Sequence, residues 1–473
     1  MFTPTGSMAG AARSQAGPAV GGTELRATRR VGFRTVALVT GNDTDPAFVA
    51  AATGAEGSGQ HGMYFRVNGA VLLTRGASMI PMEELEGWMD ADAHLATVRS
   101  ALEGRFNMLR VWGGGIWLPS AWYTACDELG ILVYHDMQYA QNGHAPRATA
   151  VQEAELRHQI RRLSHHPSIV VWDGCNECQV KMGTETGIYA TFVLAVVAEE
   201  DTSRPVWPSC PSIGWSAGVD TLTSRPIPGR ALAAPDPGTR PLIETHRPKW
   251  HGDGFASVNG ATPINPAPGP HPLCPQPPCN WQGLFPSNIP LSLTRQPTGP
   301  GQPNVFSSES PGASVMSSFE SMAPTLAKEH WGLHGGAPPD NCTGNNFKRA
   351  CQGSNAMAQR NYPCDNFIAV YWGMGALAGI NATGELPFKQ QLFQCMIAQA
   401  LIIKQNIELT RATPRFGIIV WQFNEVWPTG GWGSVEYGNP HFDGGGQVIG
   451  VQSAAGGSRC STGTGRLSSR TCW

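Results

Sequence analysis

The chain predicts an α/β fold, a (β/α)8 TIM barrel with long irregular loop insertions. Three observations lead there. Short apolar runs alternate with helical periodicities from Tyr64 to Phe423. Eight such runs can be placed, the number that closes a barrel of parallel strands. Polar or aromatic residues end several of the runs, and the first strand-helix turn lacks a G-x-G-x-x-G, which argues against a doubly wound open sheet.

The elements follow in order. Val31 to Val39 (VGFRTVALV) reads as one short strand and Asn42 to Gly62 as a linker. Val71 to Arg75 is the first barrel strand. A helix follows within Glu83 to Leu102, with Leu85, Trp88, Leu95, Val98 and Leu102 near helical spacing. Asn107 to Trp112 is the second strand, closed by Gly113-Gly114-Gly115. Pro119 opens a helix to Leu129, since proline suits a first turn. Ile131 to Asp136 is the third strand, and a helix through Leu156, Ile160 and Leu163 leads to the fourth, Ile169 to Trp172. That run, bounded by His166-Pro167 and Gly174, suits a strand covered on both faces. Pro205 to Ser209, Leu242 to His246, Asn304 to Ser308 and Gly417 to Phe423 complete the set, the last fed by a helix from Phe388 to Leu409. Residues 247–302 and 331–365 are rich in proline or asparagine and read as long loops on the barrel.

Composition narrows the function. With 14% charged residues and a net charge of −2, neither nucleic acid nor an anionic membrane surface is an expected partner. No apolar stretch reaches the roughly 18 to 20 residues of a membrane span. Fifteen tryptophans offer flat faces suited to cores and to sugar rings. The twelve cysteines show no zinc pattern. Cys175 and Cys178 form a CxxC without a second pair and are read as structural or free thiols. Cys274, Cys279, Cys342, Cys351 and Cys364 fit loop disulfides of an oxidising compartment. Asn42, Asn341 and Asn381 each begin an N-x-Thr triplet, while the first 22 residues lack the apolar region of a signal peptide.

Two carboxylates stand where a barrel places chemistry. Glu177 follows the fourth strand in an Asn176-Glu177 pair, and Glu309 ends the seventh. Strands four and seven face each other across a closed barrel mouth. Two carboxyl groups about 5 to 5.5 Å apart suit retaining glycoside hydrolysis, one attacking the anomeric carbon and one protonating the leaving oxygen. Taken singly, a glutamate after a strand is more often a helix cap or a surface charge than a catalyst, and Glu309 is the weaker of the two because Glu244, Glu320 and Glu425 compete with it. Asn176 could hydrogen-bond a sugar hydroxyl. Trp112, Trp172 and Trp421 are core or stacking candidates, with Trp112 and Trp421 better placed for stacking.

NMLRVWGGG (107–115), ACDELGILVYHD (125–136), HPSIVVWDGCNE (166–177), DTSRPVWPSCPSIG (201–214), SSESPGASVMSSFES (307–321) and IIVWQFNEVWPTGGWGSVEYG (418–438) resemble β-mannosidases of glycoside hydrolase family 2. The resemblance covers roughly Val31 to Gly438. It implies Glu177 as acid/base, Glu309 as nucleophile and Asn176 at the sugar 2-hydroxyl, with Trp112, Asp136 and Trp421 around the terminal sugar. It implies an oligosaccharide substrate, no metal or other cofactor, and a lysosomal or secreted location. Ser78-Met79, His135 and Cys175 depart from the family pattern, and altered pocket contacts are expected there.

The expected domains are a disordered segment 1–30, a remnant of an immunoglobulin-like β-sandwich with its linker (31–62), the catalytic barrel (63–438) and an irregular tail (439–473). The first functional expectation is a retaining exo-β-mannosidase. A related glycosidase of other sugar specificity and an inactive carbohydrate-binding barrel are the alternatives.

Overall fold

The computed structural model describes residues 30–40, 63–83, 89–140, 144–178, 188–207, 209–210, 306–310, 317–336, 379–412, 417–426, 432–433 and 435–436. It also describes short stretches at 219–220, 225–226, 244–245, 441–442, 448–450 and 459–460, and the single positions 357, 368, 372 and 376. The expectations for residues 1–29, for the linker and for loop 247–302 lie outside these, as does nearly all of 337–365.

An eight-stranded parallel sheet organises the chain. Its strands, in chain order, are β4 (Thr74–Met79), β5 (Met108–Val111), β6 (Leu132–Asp136), β7 (Ile169–Asp173), β8 (Val206–Trp207), β11 (Glu244–Thr245), β12 (Phe306–Ser310) and β13 (Gly417–Val420). All eight expected barrel strands are present. The sheet runs β11-β12-β13-β4-β5-β6-β7-β8, so the eighth barrel strand pairs with the first. No ladder joins β8 to β11 among the described residues. The expected TIM-barrel-like fold is the one observed.

The strands form where the apolar runs predict, because a strand covered on both faces needs no alternation. Every residue of β5, β7 and β13 is buried. The first barrel strand is displaced from its expected span. Ala70–Leu72 forms β3 in a separate antiparallel sheet with β1 (Val36–Thr40) and β2 (Met63–Val67). The barrel strand then begins at Thr74. Apolar content does not separate the two, since one continuous extended run serves both sheets.

The small sheet sits at the amino end of the barrel. Phe65 on β2 meets Tyr134 on β6 and Phe306 on β12 edge-on, with centroids 6.5 and 5.9 Å away. Arg34 donates to the carbonyls of Pro167 and Ile169 at 2.7 and 2.6 Å, where β7 begins. The opposite, carboxyl end is thereby left for the site.

Caps set the helix limits. Helix α1 (Ala91–Glu103) starts where Asp90 Oδ1 accepts the amide of Ala93 at 2.8 Å. That capping aspartate places the start inside the broad periodic region expected from Glu83. Val98 and Ala101 are buried beneath it, while Leu102, expected on the same face, is 43% exposed. Helix α2 (Ser120–Leu129) follows Pro119 and stops at Gly130, whose φ of +74° is a left-handed end that glycine adopts without penalty. Helix α3 (Ala150–Leu163) buries the expected Leu156, Ile160 and Leu163. A π-helical turn, Tyr189–Leu194, runs into α4 (Ala195–Glu200). After β12 come α5 (Phe319–Met322) and α6 (Glu385–Ala412), which feeds β13.

Two 3-10 turns, Ala323–Thr325 and Lys328–His330, and short antiparallel pairs complete the described elements. The pairs join β9 (Val219–Asp220) to β10 (Arg225–Pro226), β14 (Val435–Glu436) to β17 (Arg459–Cys460), and β15 (His441–Phe442) to β16 (Val448–Gly450). No described helix is long and apolar enough to cross a membrane.

Candidate active site

A charged residue in the middle of an apolar strand organises the site. Arg110, in Met108–Val111, is fully buried and points into the barrel. Its Nε and Nη2 donate to Asp136 Oδ1 and Oδ2 at 3.1 and 2.6 Å, a two-point pairing. Nη2 also donates to Asn176 Oδ1 at 2.6 Å, and Nη1 to Glu309 Oε2 at 2.9 Å. One guanidinium on the second barrel strand thus gathers side chains from the ends of the third, fourth and seventh.

This contact requires curvature. Strands β5 and β12 are separated in the sheet by β4 and β13, a distance of roughly 14 Å at the usual interstrand spacing. An ion pair of 2.9 Å between them exists only because the sheet curls until the strands face each other. A register irregularity between Ser307 and Ser310 falls at Glu309. A bulge of this kind re-aims a side chain.

The electrostatics favour a charged cluster. Burial pulls the Arg110 guanidinium down. The Asp136 carboxylate, with Cys210 and Glu309, more than offsets this and holds it well above its ordinary value. The cation therefore stays charged between two carboxylates. Asp136 is itself fully buried, and its Oδ2 also accepts the Gly113 amide at 3.0 Å. Both its oxygens are engaged beneath the site.

Glycine at 113 is required by contact. A Cβ there would lie 2.3 Å from the Tyr139 carbonyl oxygen and 2.7 Å from that of Met137. At Gly114 an added Cβ would meet only the partly exposed Trp112 ring, at 2.2 Å, a side chain free to give way. Gly113, expected merely to close the second strand, thus lets the turn lie against the neighbouring strand ends.

Asn176 is buried, bridged to Ala140 on one side and Cys210 on the other, with its amide donating to Tyr139 O at 2.9 Å. Glu177 follows it, exposed, with φ +51° and its amide on Cys210 O at 2.6 Å. Trp112 and Trp421, both partly exposed, meet edge to face with ring centroids 5.3 Å apart. The Trp421–Gln422 peptide is cis. Trp172 is fully buried, donates to Asp201 Oδ2 at 2.8 Å and lies under Arg204, the core option of its two readings.

Two competitors of Glu309 are otherwise employed. Glu320 is exposed on α5, and Glu425 Oε1 accepts the Gly433 amide. Glu244 lies in β11.

His135, where altered pocket contacts were expected, faces away from the barrel interior. Its ring stacks between Trp117 and Tyr123, and Nε2 shares a 2.7 Å hydrogen bond with the Tyr123 hydroxyl. Side chains alternate along a strand, so Asp136 pointing inward sends His135 outward. Burial depresses its pKa to about 3. Ser78 and Met79 are buried in β4, where Ser78 is in register with Arg110.

Sequence reasoning missed Arg110. The signal was present, a cation inside Met-Leu-Arg-Val with no alternation to carry it to solvent. Cys175 and Cys178, read as structural or free thiols, form a disulfide. No group of three or more His, Cys, Asp or Glu among the described residues is arranged to hold a metal ion.

No family model matches the chain. Curated relatives do. β-Mannosidase of Mus musculus is 31% identical over 212 residues, covering 41% of this chain and 23% of that protein. β-Mannosidase of Capra hircus is 24% identical over 446 residues, covering 88% and 41%. Among solved structures, β-D-mannosidase from Dictyoglomus thermophilum superposes with a TM-score of 0.51 at 20% identity, covering 86% of this chain and 40% of that one. An exo-chitosanase from Amycolatopsis orientalis gives 0.50 at 13% identity, covering 85% and 38%. These two likenesses speak for the fold. The chain thus spans less than half the length of each of these relatives, and the resemblance to β-mannosidases read from its motifs is borne out.

Proposed function

We propose that the chain carries the catalytic centre of a retaining exo-β-mannosidase, releasing terminal β-linked mannose from oligosaccharides or glycoprotein glycans. The observation that carries this reading is the Arg110 cluster, which links Glu309 across the barrel to Asn176, the residue beside Glu177. The curated β-mannosidase relatives support the sugar.

The residues then divide the work as follows. Glu309, held by the Arg110 guanidinium, attacks the anomeric carbon and forms a glycosyl-enzyme ester. Glu177 protonates the departing glycosidic oxygen, then takes a proton from the water that cleaves the ester. Two displacements return the original configuration. Asn176 Oδ1 is occupied by Arg110, so its Nδ2 hydrogens are directed to donate to the sugar 2-hydroxyl. Trp112 and Trp421 present apolar faces to the ring. Asp136 acts through Arg110, with both oxygens already engaged.

A lysosomal or secreted location accords with the Cys175–Cys178 disulfide and with Asn381, which is exposed and begins Asn-Ala-Thr. The test is hydrolysis of p-nitrophenyl β-mannoside by the wild type and Glu309→Ala. Loss of at least about 1,000-fold in kcat is expected, as for removal of a nucleophile. Turnover that survives the substitution removes Glu309 from the mechanism. Mannose binding without turnover by the intact wild type would favour a binding barrel, and a panel of other aryl glycosides separates the sugar alternatives.

A further inference from the structure

Glu177 lies inside a covalent ring. Cys175 and Cys178 are bonded across Asn176-Glu177, with their Cα atoms 5.9 Å apart. Cys175 is fully buried and Cys178 is 8% exposed. The ring also contains the left-handed backbone of Glu177, at φ +51°. A residue with a β-carbon keeps that conformation only where its surroundings hold it there.

Three restraints hold the chain around it. The first is the ladder to Cys210, whose carbonyl accepts the Glu177 amide at 2.6 Å and whose amide donates to Cys175 O at 3.0 Å. Both of those hydrogen bonds act on the chain up to Glu177. The second is the disulfide, which ties the residue after Glu177 back to buried Cys175. Cys178 is also held by Ser209 Oγ, which donates to its carbonyl at 2.9 Å. Anchored neighbours fix the Glu177 backbone and so the point from which its side chain starts, which matters to an acid catalyst because a misplacement of about 1 Å costs about 100-fold.

We propose that the Cys175–Cys178 disulfide is the positioning element of Glu177, and a thiol-exchange site through which a dithiol reductant withdraws acid catalysis from the centre. This rests on the reading of Glu177 as the proton donor. The exchange balances. A thiolate of the dithiol attacks the more exposed Cys178 sulfur, the S–S bond breaks, and Cys175 leaves as a thiolate that takes a proton from water. The second thiol of the reagent then displaces Cys178 as a thiol. Two electrons pass to the protein, and the reagent ends as a cyclic disulfide. Glu177 keeps its carboxyl group but loses the covalent part of its downstream anchor, only the Ser209 hydrogen bond to the Cys178 carbonyl remaining.

The experiment compares two β-mannosides by kcat/KM, which reports the first displacement alone. 2,4-Dinitrophenol is acidic enough to leave without a proton, whereas phenol needs one. In wild type, the peptide map without reductant should contain the 175–178 link. Dithiothreitol should lower kcat/KM on phenyl β-mannoside by at least about tenfold, within the range general acids contribute. The dinitrophenyl substrate should change less than about twofold, because its departure needs no acid. Reoxidation should restore kcat/KM on phenyl β-mannoside, which keeps the test valid if variants fold poorly. Cys175→Ser/Cys178→Ser should start at the lowered value and ignore dithiothreitol.

Equal loss on both substrates, no loss on either, or no 175–178 link overturns the proposal while an active wild type leaves the glycosidase reading standing. A wild type inactive on both substrates sinks the glycosidase reading, and the proposal with it.

Discussion

At the residue scale, Arg110 and His135 show how burial can serve opposite ends. Arg110 is a buried cation tolerated because Asp136 and Glu309 surround it. Removing one partner of such a cluster strands the other charges, at about 3–5 kcal/mol. Arg110→Met should therefore destabilise the fold by about that much in urea titration and abolish turnover. A variant of unchanged stability would show that the cluster is not charged as described. His135 is buried neutral, with its pKa depressed to about 3. An unfolded chain takes up that proton near pH 6.5, so the unfolded state binds more protons between the two values. The stability contribution is whole above about pH 6.5 and falls as pH drops toward 3, about 2 kcal/mol being lost by pH 5. His135→Gln should flatten thermal stability against pH across that window. A slope equal to the wild type's would exclude His135 as its source.

At the element scale, the turns after the strands carry the geometry. Gly113 and Gly130 are both glycines at element ends, and sequence alone does not tell them apart. Space does. At Gly113 an added Cβ collides with the Tyr139 and Met137 carbonyls, whereas at Gly130 nothing lies within 4 Å. Gly113→Ala should cost about 1–3 kcal/mol and lower kcat, because the turn must lift its amide from Asp136. Gly130→Ala should cost about 1 kcal/mol for its positive φ and leave kcat unchanged. Comparable kcat values for the two variants would contradict the role given to the Gly113 turn. The strand positions were legible because fully buried strands read as continuous apolar runs. The first barrel strand was placed several residues early, because the run through Leu72 belongs to the other sheet.

At the scale of the whole molecule, the small antiparallel sheet and the polar cluster occupy opposite ends of the barrel. Phe65 joins the sheet to Tyr134 and Phe306 inside it. Phe65→Ala should cost about 3–5 kcal/mol in denaturant titration, typical of removing a buried aromatic. A loss below 1 kcal/mol would show that the sheet is not part of the barrel's stability. Because the cluster is at the other end, KM should move little in the fraction that stays folded.

The sequence by itself determined the order of strands and helices, the α/β class and the short list that held Glu177, Glu309, Asn176, Trp112, Asp136 and Trp421. The elements follow from local periodicity and caps, which act over a few residues, and Asp136 joined the short list through the resemblance that its motif carries. Tertiary structure alone decided which of these residues share contacts. Arg110 touches Glu309, distant in sequence, because the sheet curls, and curvature is a property of all the strands together. It decided that Asp136 faces inward and His135 outward, that Cys175 closes on Cys178, and that Phe65 packs at the barrel's amino end. Each depends on which face a side chain takes and on what the fold brings to meet it, and neither is written in local spacing.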